Sequence, residues 1–381
     1  MPVQAPSASH ASGALASGRA ERRIEQRLAR RGGVVEGLTP LAWIFGALTR
    51  LRSALYRRGW LRVMQVDVSV VSVGNLTVGG TGKTPLVEWL VRTLQERGIS
   101  VGLLSRGYGR VKGAELNDEG LLLAETCHGV PHVQDRDRVA GAARLVDQGV
   151  DVILLDDGFQ HRRLHRDLDI VLIDATRPWG LAPACAGQEP LCALLPRGLM
   201  REPRSALARA DLLLLTRADA VDAKSLQGLT RTLAQYAPGV PIAEARHAPR
   251  AFRRLAAEAR DDERRGLDEF QGLEVDLVSG IGNPPAFEAS VRSTGALVGE
   301  HRAFPDHHDF EQRDLERLGS RPVIVTAKDS VKLRGRGMDL WVLDVELELL
   351  NGRDELERLL DGLPESPRRN ALDALHAGLH G

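Results

Sequence analysis

The most constraining feature of this sequence is a glycine-rich stretch that lies between a strand pattern and a helix pattern. Residues 66–73, VDVSVVSV, are apolar and rich in β-branched side chains, which predicts a buried parallel strand. From Leu86 onward, apolar residues recur at helical spacing until Gly98, where the helix can end. A glycine-rich turn between a strand and a helix is the setting in which proteins bind phosphate groups. The pattern therefore predicts an α/β fold that carries a nucleotide-binding loop.

The loop itself, residues 75–85 with the sequence NLTVGGTGKTP, supplies the groups that a triphosphate needs. Backbone N–H groups of the glycines can turn inward on an anion, Lys83 can reach the β- and γ-phosphates, and the Thr84 hydroxyl can ligate Mg²⁺. The first glycine of the usual G-x-x-x-x-G-K-[ST] pattern is replaced here by Thr77, so the match is a deviant one. The predicted nucleotide-binding residues are Thr77, Val78, Gly79, Gly80, Thr81, Gly82, Lys83 and Thr84.

A second motif, residues 151–157 (DVILLDD), is a short apolar strand that ends in Asp156 and Asp157. A carboxylate at this place behind a phosphate-binding loop holds Mg²⁺ directly or through water. We therefore predict Thr84, Asp156 and Asp157 as metal ligands. Gln160 follows closely and is a candidate for contact with metal-bound water or with substrate.

Phosphoryl transfer also needs a group that orients or deprotonates the acceptor hydroxyl. The segments Asn117-Asp118-Glu119 and Asp306-His307-His308 are the candidates, because an Asp beside a His can orient the imidazole and raise its basicity. From the residues alone, each segment is more typical of a solvated loop than of a catalytic site. Basic or hydrogen-bonding side chains near predicted strand ends are candidate phosphate or substrate contacts, namely Arg106, Tyr108, Arg136, Arg138 and the loop 161–166.

The order of strand and helix patterns predicts a parallel-sheet lobe of the P-loop NTPase type and a second, smaller α/β lobe. The predicted organisation has five segments: a disordered basic arm (1–36), an interfacial membrane helix (37–64), a P-loop kinase core lobe (65–248), the second lobe (249–350) and a helical or disordered tail (351–381).

The predicted helix at 37–64 combines large apolar residues with arginines, and Trp43 and Trp60 lie toward its two ends. This composition is typical of a helix that lies in the surface of an anionic membrane, although an amphipathic helix packed on the core shares it. We find no unbroken apolar run of about 18 to 20 residues, so a membrane-spanning helix is not expected. Nor is a secretory signal expected, because the N-terminus lacks an early apolar core.

Overall charge is balanced, with 51 Lys and Arg against 51 Asp and Glu. It gives no reason to expect a nucleic-acid partner, and no obligate protein partner is evident. The three cysteines, Cys127, Cys185 and Cys192, show no C-x-x-C spacing, which predicts neither a zinc site nor a disulfide framework.

Four motifs in this order resemble the tetraacyldisaccharide 4'-kinase (lipid A 4'-kinase) family: SVGNLTVGGTGKTP at 72–85, LSRGYG at 104–109, DDGFQH at 156–161 and FPDHH at 304–308. The resemblance runs from about residue 38 to 350. It implies ATP and Mg²⁺ as cofactors and transfer of the γ-phosphate to the 4'-hydroxyl of a tetraacyldisaccharide 1-phosphate, which gives lipid IVA. It further implies two lobes joined by a hinge and a peripheral protein on the cytoplasmic face of the inner membrane.

Carried over to matching positions, the resemblance implies a catalytic Asp at Asp118 with His307 as its partner, and Lys83 on the phosphates. Arg106, Tyr108, Arg138 and Gln160 become substrate or nucleotide contacts. The chain departs from the family in three places: Asn117 replaces a Gly, Gly120 stands where Pro is common, and a basic arm precedes the membrane helix.

Two other functions fit the phosphate-binding loop. A nucleotide switch that hydrolyses slowly is one, and residues 326–329 (TAKD) superficially resemble a base-reading motif of GTPases. A membrane scaffold that retains ATP only for folding is the other. Phosphate transfer to a lipid acceptor, as opposed to hydrolysis, distinguishes the three.

Overall fold

The structure is a computed structural model that describes residues 24–107, 116–183, 185, 188–255, 263–315, 320–334 and 339–367. The chain divides into two compact units. The larger unit contains Leu28–His247 and the C-terminal stretch from Leu347, and the smaller unit contains Ala248–Glu346. Each unit has its own apolar core and is described separately.

The larger unit alternates strands and helices along most of its length, as the sequence predicts. Its elements are α1 (Thr39–Arg57), β1 (Ser69–Asn75), α2 (Lys83–Glu96), β2 (Val101–Ser105), α3 (Asp118–Thr126), β3 (His132–Gln134), α4 (Arg138–Asp147), β4 (Val152–Asp156), β5 (Leu168–Asp174), β6 (Leu212–Thr216), α5 (Ala223–Tyr236) and the start of β7 (Ile242–Arg254).

Strand β1 lies at the centre of a parallel sheet with the order β7-β6-β5-β1-β4-β2-β3. All seven of its residues are buried. Val71 packs in one apolar cluster with Leu86 and Leu90 of α2, and Val70 packs in another with Leu145 of α4. Helices thus cover both faces of the sheet, which explains the continuous apolar run in the sequence. Because Val73 pairs with Asp156, the loops after β1 and β4 leave the sheet at the same edge.

The smaller unit contains a second parallel sheet. Its elements are the remainder of β7, β8 (Glu263–Arg265), β9 (Glu274–Ser279), α6 (Pro284–Ser293), β10 (Leu297–Ala303), α7 (Gln312–Leu315), β11 (Val323–Val325), α8 (Ala327–Leu333) and most of β12 (Leu340–Asn351). Strands β10, β9, β11 and β12 are neighbours in that order and run parallel, and β8 pairs antiparallel with β7. The predicted α/β fold with a mostly parallel sheet is confirmed.

The chain returns to the larger unit at Leu347 and ends its described part with helix α9 (Arg353–Asp361). Leu356 and Leu360 of this helix are buried in the same apolar cluster as α2 and β1. The stretch after residue 350 is thus partly core, a role that its short helical pattern in the sequence does not reveal.

Helix α1 exposes an apolar surface. Leu41, Trp43, Ile44, Leu48 and Leu51 are each more than half exposed, and Trp43 is 71% exposed. The helical stretch Val34–Arg57 is long and apolar enough to cross a membrane by length and composition alone. It meets that test although charged residues such as Arg50 and Arg52 interrupt the unbroken apolar run on which the sequence expectation was based. Such a helix close to the N-terminus is by itself weak evidence for a membrane.

Part of the segment predicted as a disordered arm is held by one buried arginine. The Arg197 guanidinium donates to the carbonyl oxygens of Leu28 at 2.6 Å and Arg30 at 2.8 Å, and to Glu36 Oε1 at 2.7 Å. Arg197 is 3% exposed. Residues 28–36 were predicted to be disordered, but Arg197, about 160 residues further along the chain, holds them by these hydrogen bonds. Residues 1–23 lie outside the described residues.

Candidate active site

The phosphate-binding loop connects β1 to α2, as predicted. Thr77 and Thr81 are buried, Val78, Gly79 and Gly80 are exposed, and Gly82, Lys83 and Thr84 are half-buried. Gly82 precedes the first residue of α2 with φ +84°, a left-handed conformation that favours glycine. A Cβ atom at Gly82 would lie 2.4 Å from the His247 ring. Position 82 therefore requires glycine, both because of its left-handed backbone and because the His247 ring leaves no space for a Cβ atom.

A second segment, residues 193–201, pairs with the first half of this loop. Val78 N–H donates to the Leu199 carbonyl at 2.8 Å, and Arg201 N–H donates to the Leu76 carbonyl at 2.7 Å. Thr77 forms an antiparallel bridge with Met200. Sequence reasoning missed the 193–201 segment, although its arginines between glycine and prolines (PRGLMREP) are a signal that could have indicated it.

Asp157 joins the loop, strand β4 and the 193–201 segment through charge. Its Oδ1 atom lies 3.5 Å from Lys83 Nζ, and Arg201 Nη1 lies 2.9 and 2.7 Å from its two carboxylate oxygens. Burial alone raises the pKa of the Asp157 carboxyl, but the adjacent Lys83 and Arg201 cations outweigh it, so the pKa lies below its usual value. Asp157 is thus held ionised beside Lys83.

The adjacent Asp156 has a different environment. Burial raises the pKa of its carboxyl to about 7, with Lys83 acting in the opposite direction. Its Oδ1 atom is buried and has no hydrogen-bond partner within the described residues. A buried carboxylate oxygen without a donor needs a cation or a proton to offset its charge.

Further buried polar atoms near the same sheet edge lack partners among the described residues, namely Ser72 Oγ, both side-chain atoms of Asn75, Thr81 Oγ1 and Arg138 Nε. Ser72 and Asn75 belong to β1, and Thr81 belongs to the loop that follows it. Buried polar groups are almost always hydrogen-bonded in folded proteins. Their concentration at the ends of β1 and β4 therefore indicates a polar ligand at this edge.

The residues present fit Mg²⁺ bound with a nucleotide. Asp156 and the Thr84 hydroxyl would hold the ion, because Mg²⁺ is bound by one or two protein oxygens together with phosphates and water. Asp157, the third ligand predicted from the sequence, contacts Lys83 and Arg201, and its role as a metal ligand stays a prediction. No group of three or more His, Cys, Asp or Glu side chains that could hold a metal occurs in the described parts of the chain. A nucleotide-assisted Mg²⁺ site does not need one.

The predicted substrate residues have different surroundings. Arg138, 4% exposed at the start of α4, donates to the carbonyl oxygens of Asp135 at 3.1 Å and Arg136 at 3.4 Å. Burial lowers its pKa, Arg106 acts in the same direction, and Asp157 and Asp156 oppose both. Arg138 is therefore within electrostatic range of Arg106 and of both carboxylates of the aspartate pair.

Gln160 also belongs to this group of residues. Its Nε2 donates to the Asn75 carbonyl at 2.9 Å, and its Oε1 lies 3.4 Å from Arg201. Gln160 thus fixes the end of β1 relative to the 193–201 segment. Tyr108 lies outside the described residues.

Asp118 is the first residue of α3 and is buried. The preceding Asn117 caps the helix by accepting from Gly120 N–H at 2.9 Å, and Gln134 contacts Asn117 at 2.8 and 3.0 Å. A Cβ at Gly120 would lie 2.6 Å from Gln134 Nε2. A proline at position 120 could not donate to Asn117. The two departures from the family pattern at 117 and 120 therefore form one local arrangement.

His307 belongs to the smaller unit and has φ +62°, which is uncommon for a residue other than glycine. Its contacts within that unit include Asp306, Gly280 and Lys328. Since Asp118 belongs to the larger unit, the pairing of Asp118 with His307 stays a prediction.

Residues 35–364 match the family described as Tetraacyldisaccharide-1-P 4'-kinase (LpxK). A tetraacyldisaccharide 4'-kinase of Anaeromyxobacter sp. (strain K) is 40% identical over 345 residues, which cover 83% of this chain and 87% of that protein. One of Halorhodospira halophila is 39% identical over 325 residues, with 82% and 88% covered. The crystal structure of LpxK from Aquifex aeolicus in complex with ATP superposes with a TM-score of 0.68 at 29% identity and covers 86% of this chain and 98% of that one.

Gly82→Ala tests the tight contact with His247. We expect a loss of about 2 to 4 kcal/mol in the free energy of unfolding, since a left-handed alanine costs about 1 kcal/mol and overpacking about 1 to 3. ATP affinity should fall as well. Gly80→Ala is the matched stability control, because a Cβ there meets nothing within 4 Å. Equal melting temperatures for the two variants would contradict the prediction.

Asp156→Asn tests the cost of the buried carboxyl. A carboxyl whose pKa is higher in the folded than in the unfolded protein costs stability as pH rises from about 4 to about 7. Without nucleotide or metal, we expect the variant to become more stable than the parent by about 2 to 4 kcal/mol at about pH 8. Urea unfolding between about pH 5 and 8 measures this difference. A difference that does not change with pH contradicts the assignment.

Proposed function

This chain belongs to the family of Tetraacyldisaccharide-1-P 4'-kinases, and we propose that it transfers the γ-phosphate of ATP to the 4'-hydroxyl of a tetraacyldisaccharide 1-phosphate, giving lipid IVA. The observation that carries the proposal is the group of unpartnered polar atoms around the phosphate-binding loop, with Lys83 and the Asp156–Asp157 pair at the same sheet edge. A site of this kind has a cation that can bind phosphate and oxygens that can bind Mg²⁺. It also has buried donors and acceptors that a ligand can hydrogen-bond.

Lys83 and the loop N–H groups bind the phosphates in this proposal. The 3.5 Å contact with Asp157 fixes the Lys83 ammonium before nucleotide arrives, so little side-chain entropy is lost on binding. Arg201 contacts both oxygens of Asp157, including the Oδ1 atom nearest Lys83, and so prevents that carboxylate from neutralising Lys83 fully. Mg²⁺, held by Asp156 and Thr84, supplies offsetting positive charge on the transferred group when bound.

The acceptor side of the reaction involves Asp118, Arg138 and Arg106. Asp118 accepts or positions the proton of the 4'-hydroxyl, with His307 as its partner. The Asn117 cap and Gln134 hold the start of α3, so they fix the backbone position from which the Asp118 side chain extends. The guanidinium groups of Arg138 and Arg106 bind the anionic groups of substrate and nucleotide. Tyr108 adds a hydrogen bond from its hydroxyl group.

The direct test is transfer of labelled γ-phosphate from ATP and Mg²⁺ to detergent-solubilised tetraacyldisaccharide 1-phosphate. Label in the lipid that disappears with Lys83→Ala supports the kinase. Phosphate released to water with none in the lipid would contradict it and favour the slow nucleotide switch.

Asp118→Ala and His307→Ala should each retain ATP binding and lose about 10² to 10⁴-fold in turnover, the usual contribution of a positioned proton-transfer group. ATP affinity by calorimetry and lipid phosphorylation measure the two effects separately. Glu125→Ala, in the last turn of the same helix as Asp118, is the control for helix α3 and should turn over normally. Near-normal turnover in both of the first two variants would remove the proposed pair.

We further propose that helix α1 and the flanking residues 37–64 bind an anionic membrane surface on the cytoplasmic face of the inner membrane. The support is the exposed apolar surface of α1 with arginines toward its C-terminal end. A tetraacylated substrate is anchored in a membrane by its acyl chains, so an enzyme that lies on the membrane surface meets it without extracting it.

Replacing Trp43 and Leu48 together by Ser should weaken binding to vesicles that contain anionic phospholipid by at least about 10-fold, because each side chain loses about 1.5 kcal/mol or more of burial. Flotation with vesicles measures this. Leu350→Ser removes an exposed apolar side chain elsewhere and should have no effect. Equal binding of all variants would exclude α1 as the membrane contact.

A further inference from the structure

The residues 304–308 hold His307 in a strained conformation. Its backbone N–H lies 3.0 Å from Asp306 Oδ1 and 3.2 Å from the Gly280 carbonyl oxygen. A non-glycine residue with a backbone φ of +62° costs about 1 kcal/mol or more in stability. This conformation persists only where neighbouring groups impose it. The groups that impose it therefore determine where the imidazole lies.

Helix α8, which begins right after Thr326, supplies two such groups. Lys328 Nζ donates to Asp306 Oδ1 at 2.9 Å and lies 3.3 Å from His307 Nε2. One turn later, Lys332 Nζ donates to the His308 carbonyl oxygen at 3.1 Å. An ammonium group has donors and no acceptor, so the contact with Nε2 requires a lone pair there. A neutral His307 ring that accepts from Lys328 through Nε2 would carry its proton on Nδ1.

Asp329 holds the other side of the same segment. It is fully buried, and its Oδ2 accepts from Gly280 N–H at 2.9 Å and from the Thr326 hydroxyl at 2.6 Å. Gly280 in turn accepts from His307 N–H through its carbonyl oxygen. A base-reading motif presents its carboxylate to a nucleotide, whereas this carboxylate is turned into the protein. The resemblance of residues 326–329 to a GTPase motif is thus not a shared function.

We propose that residues Thr326–Asp329 are a positioning device for His307, in which Lys328 fixes the tautomer of the ring and keeps it neutral while Asp329 fixes the backbone that carries it. This proposal rests on the role given to His307 in the proposed function. Lys328 and Asp329 are positioning residues, because their effect on the reaction passes through His307.

The direction of the electrostatic effect follows from the charged groups that face the ring within the smaller unit. Lys328 destabilises the imidazolium form, and Asp306, whose Oδ2 lies 3.9 Å from Nε2, stabilises it. Removing the Lys328 charge takes away the ammonium group that donates to the Asp306 carboxylate. The pKa of His307 should then rise, and a larger fraction of the ring should be protonated near neutral pH.

Lys328→Met in the full-length protein tests the proposal. Nitrogen and carbon NMR of isotope-labelled histidine follows the ring, with His307→Ala identifying its signal among the eleven histidines. We expect the pKa of His307 to rise by about one unit and the Nδ1–H tautomer to lose its dominance. The acid limb of the pH profile of kcat should move by the same amount, with KM for ATP unchanged.

Two further variants make the result specific. Lys328→Arg keeps the charge and donors and should return both the His307 pKa and the pH profile toward the parent values. Lys224→Met removes an exposed lysine of α5 in the larger unit and should change neither.

A His307 pKa in Lys328→Met within about 0.2 units of the parent would overturn the proposal, as would a Lys328→Arg variant that behaves like Lys328→Met. The proposed function fails separately. If the parent protein does not phosphorylate the lipid, the proposed kinase function is contradicted. If His307→Ala turns over normally, the catalytic role of His307 is contradicted. The NMR titration still decides the contact between Lys328 and His307.

Discussion

Asp157 is shared by two cations that come from distant parts of the larger unit. Lys83 belongs to the phosphate-binding loop and Arg201 to the 193–201 segment, and both contact the same carboxylate. Asp157 has φ +53°, a conformation that Asp tolerates better than most residues. This one carboxylate connects strand β4, the loop and the 193–201 segment. The hydrogen bonds of Leu76 and Val78 to that segment add to the connection. The loop is therefore fixed from the side as well as by its own strand and helix.

Around this arrangement, the larger unit leaves several polar groups without partners. Asn75, Thr81 and Asp156 each bury atoms that the described residues do not satisfy, and each such group costs about 1 to 3 kcal/mol. The parallel sheet offsets this cost, because β1 and the apolar residues of its neighbours β4 and β5 are buried. The apolar burial that stabilises the unit thus lies along the sheet, whereas the unpartnered polar atoms lie at the carboxyl ends of β1 and β4. A ligand with phosphate oxygens and a divalent cation satisfies what the protein leaves open.

Much of this could be predicted from the sequence, because the signals are local. The strand at 66–73, the glycines and the helix after Lys83 lie within one stretch, and Asp156 and Asp157 end a short apolar run. The contacts of Arg197, Arg201, Gln134 and Lys328 could not be predicted, because each joins loops or helices far apart in sequence and leaves no periodic pattern. Asn117 and Gly120 were visible as departures, but the Gln134 side chain that lies against both positions is revealed by no spacing. The exposed face of α1 was expected from composition, whereas the fixed residues 28–36 were not.

The Arg197 contacts set a limit on how far the N-terminus can be shortened. Protein engineers who seek a more soluble lipid-modifying protein commonly remove the segment before an apolar helix. Here a start after Glu36 would delete all three acceptors of a guanidinium that is 3% exposed. A buried cation left without acceptors costs several kcal/mol. The same arginine lies within the segment that pairs with the phosphate-binding loop, so trimming at a distant terminus would reach the nucleotide site. Surface redesign of α1, with residues 28–36 kept, avoids that cost.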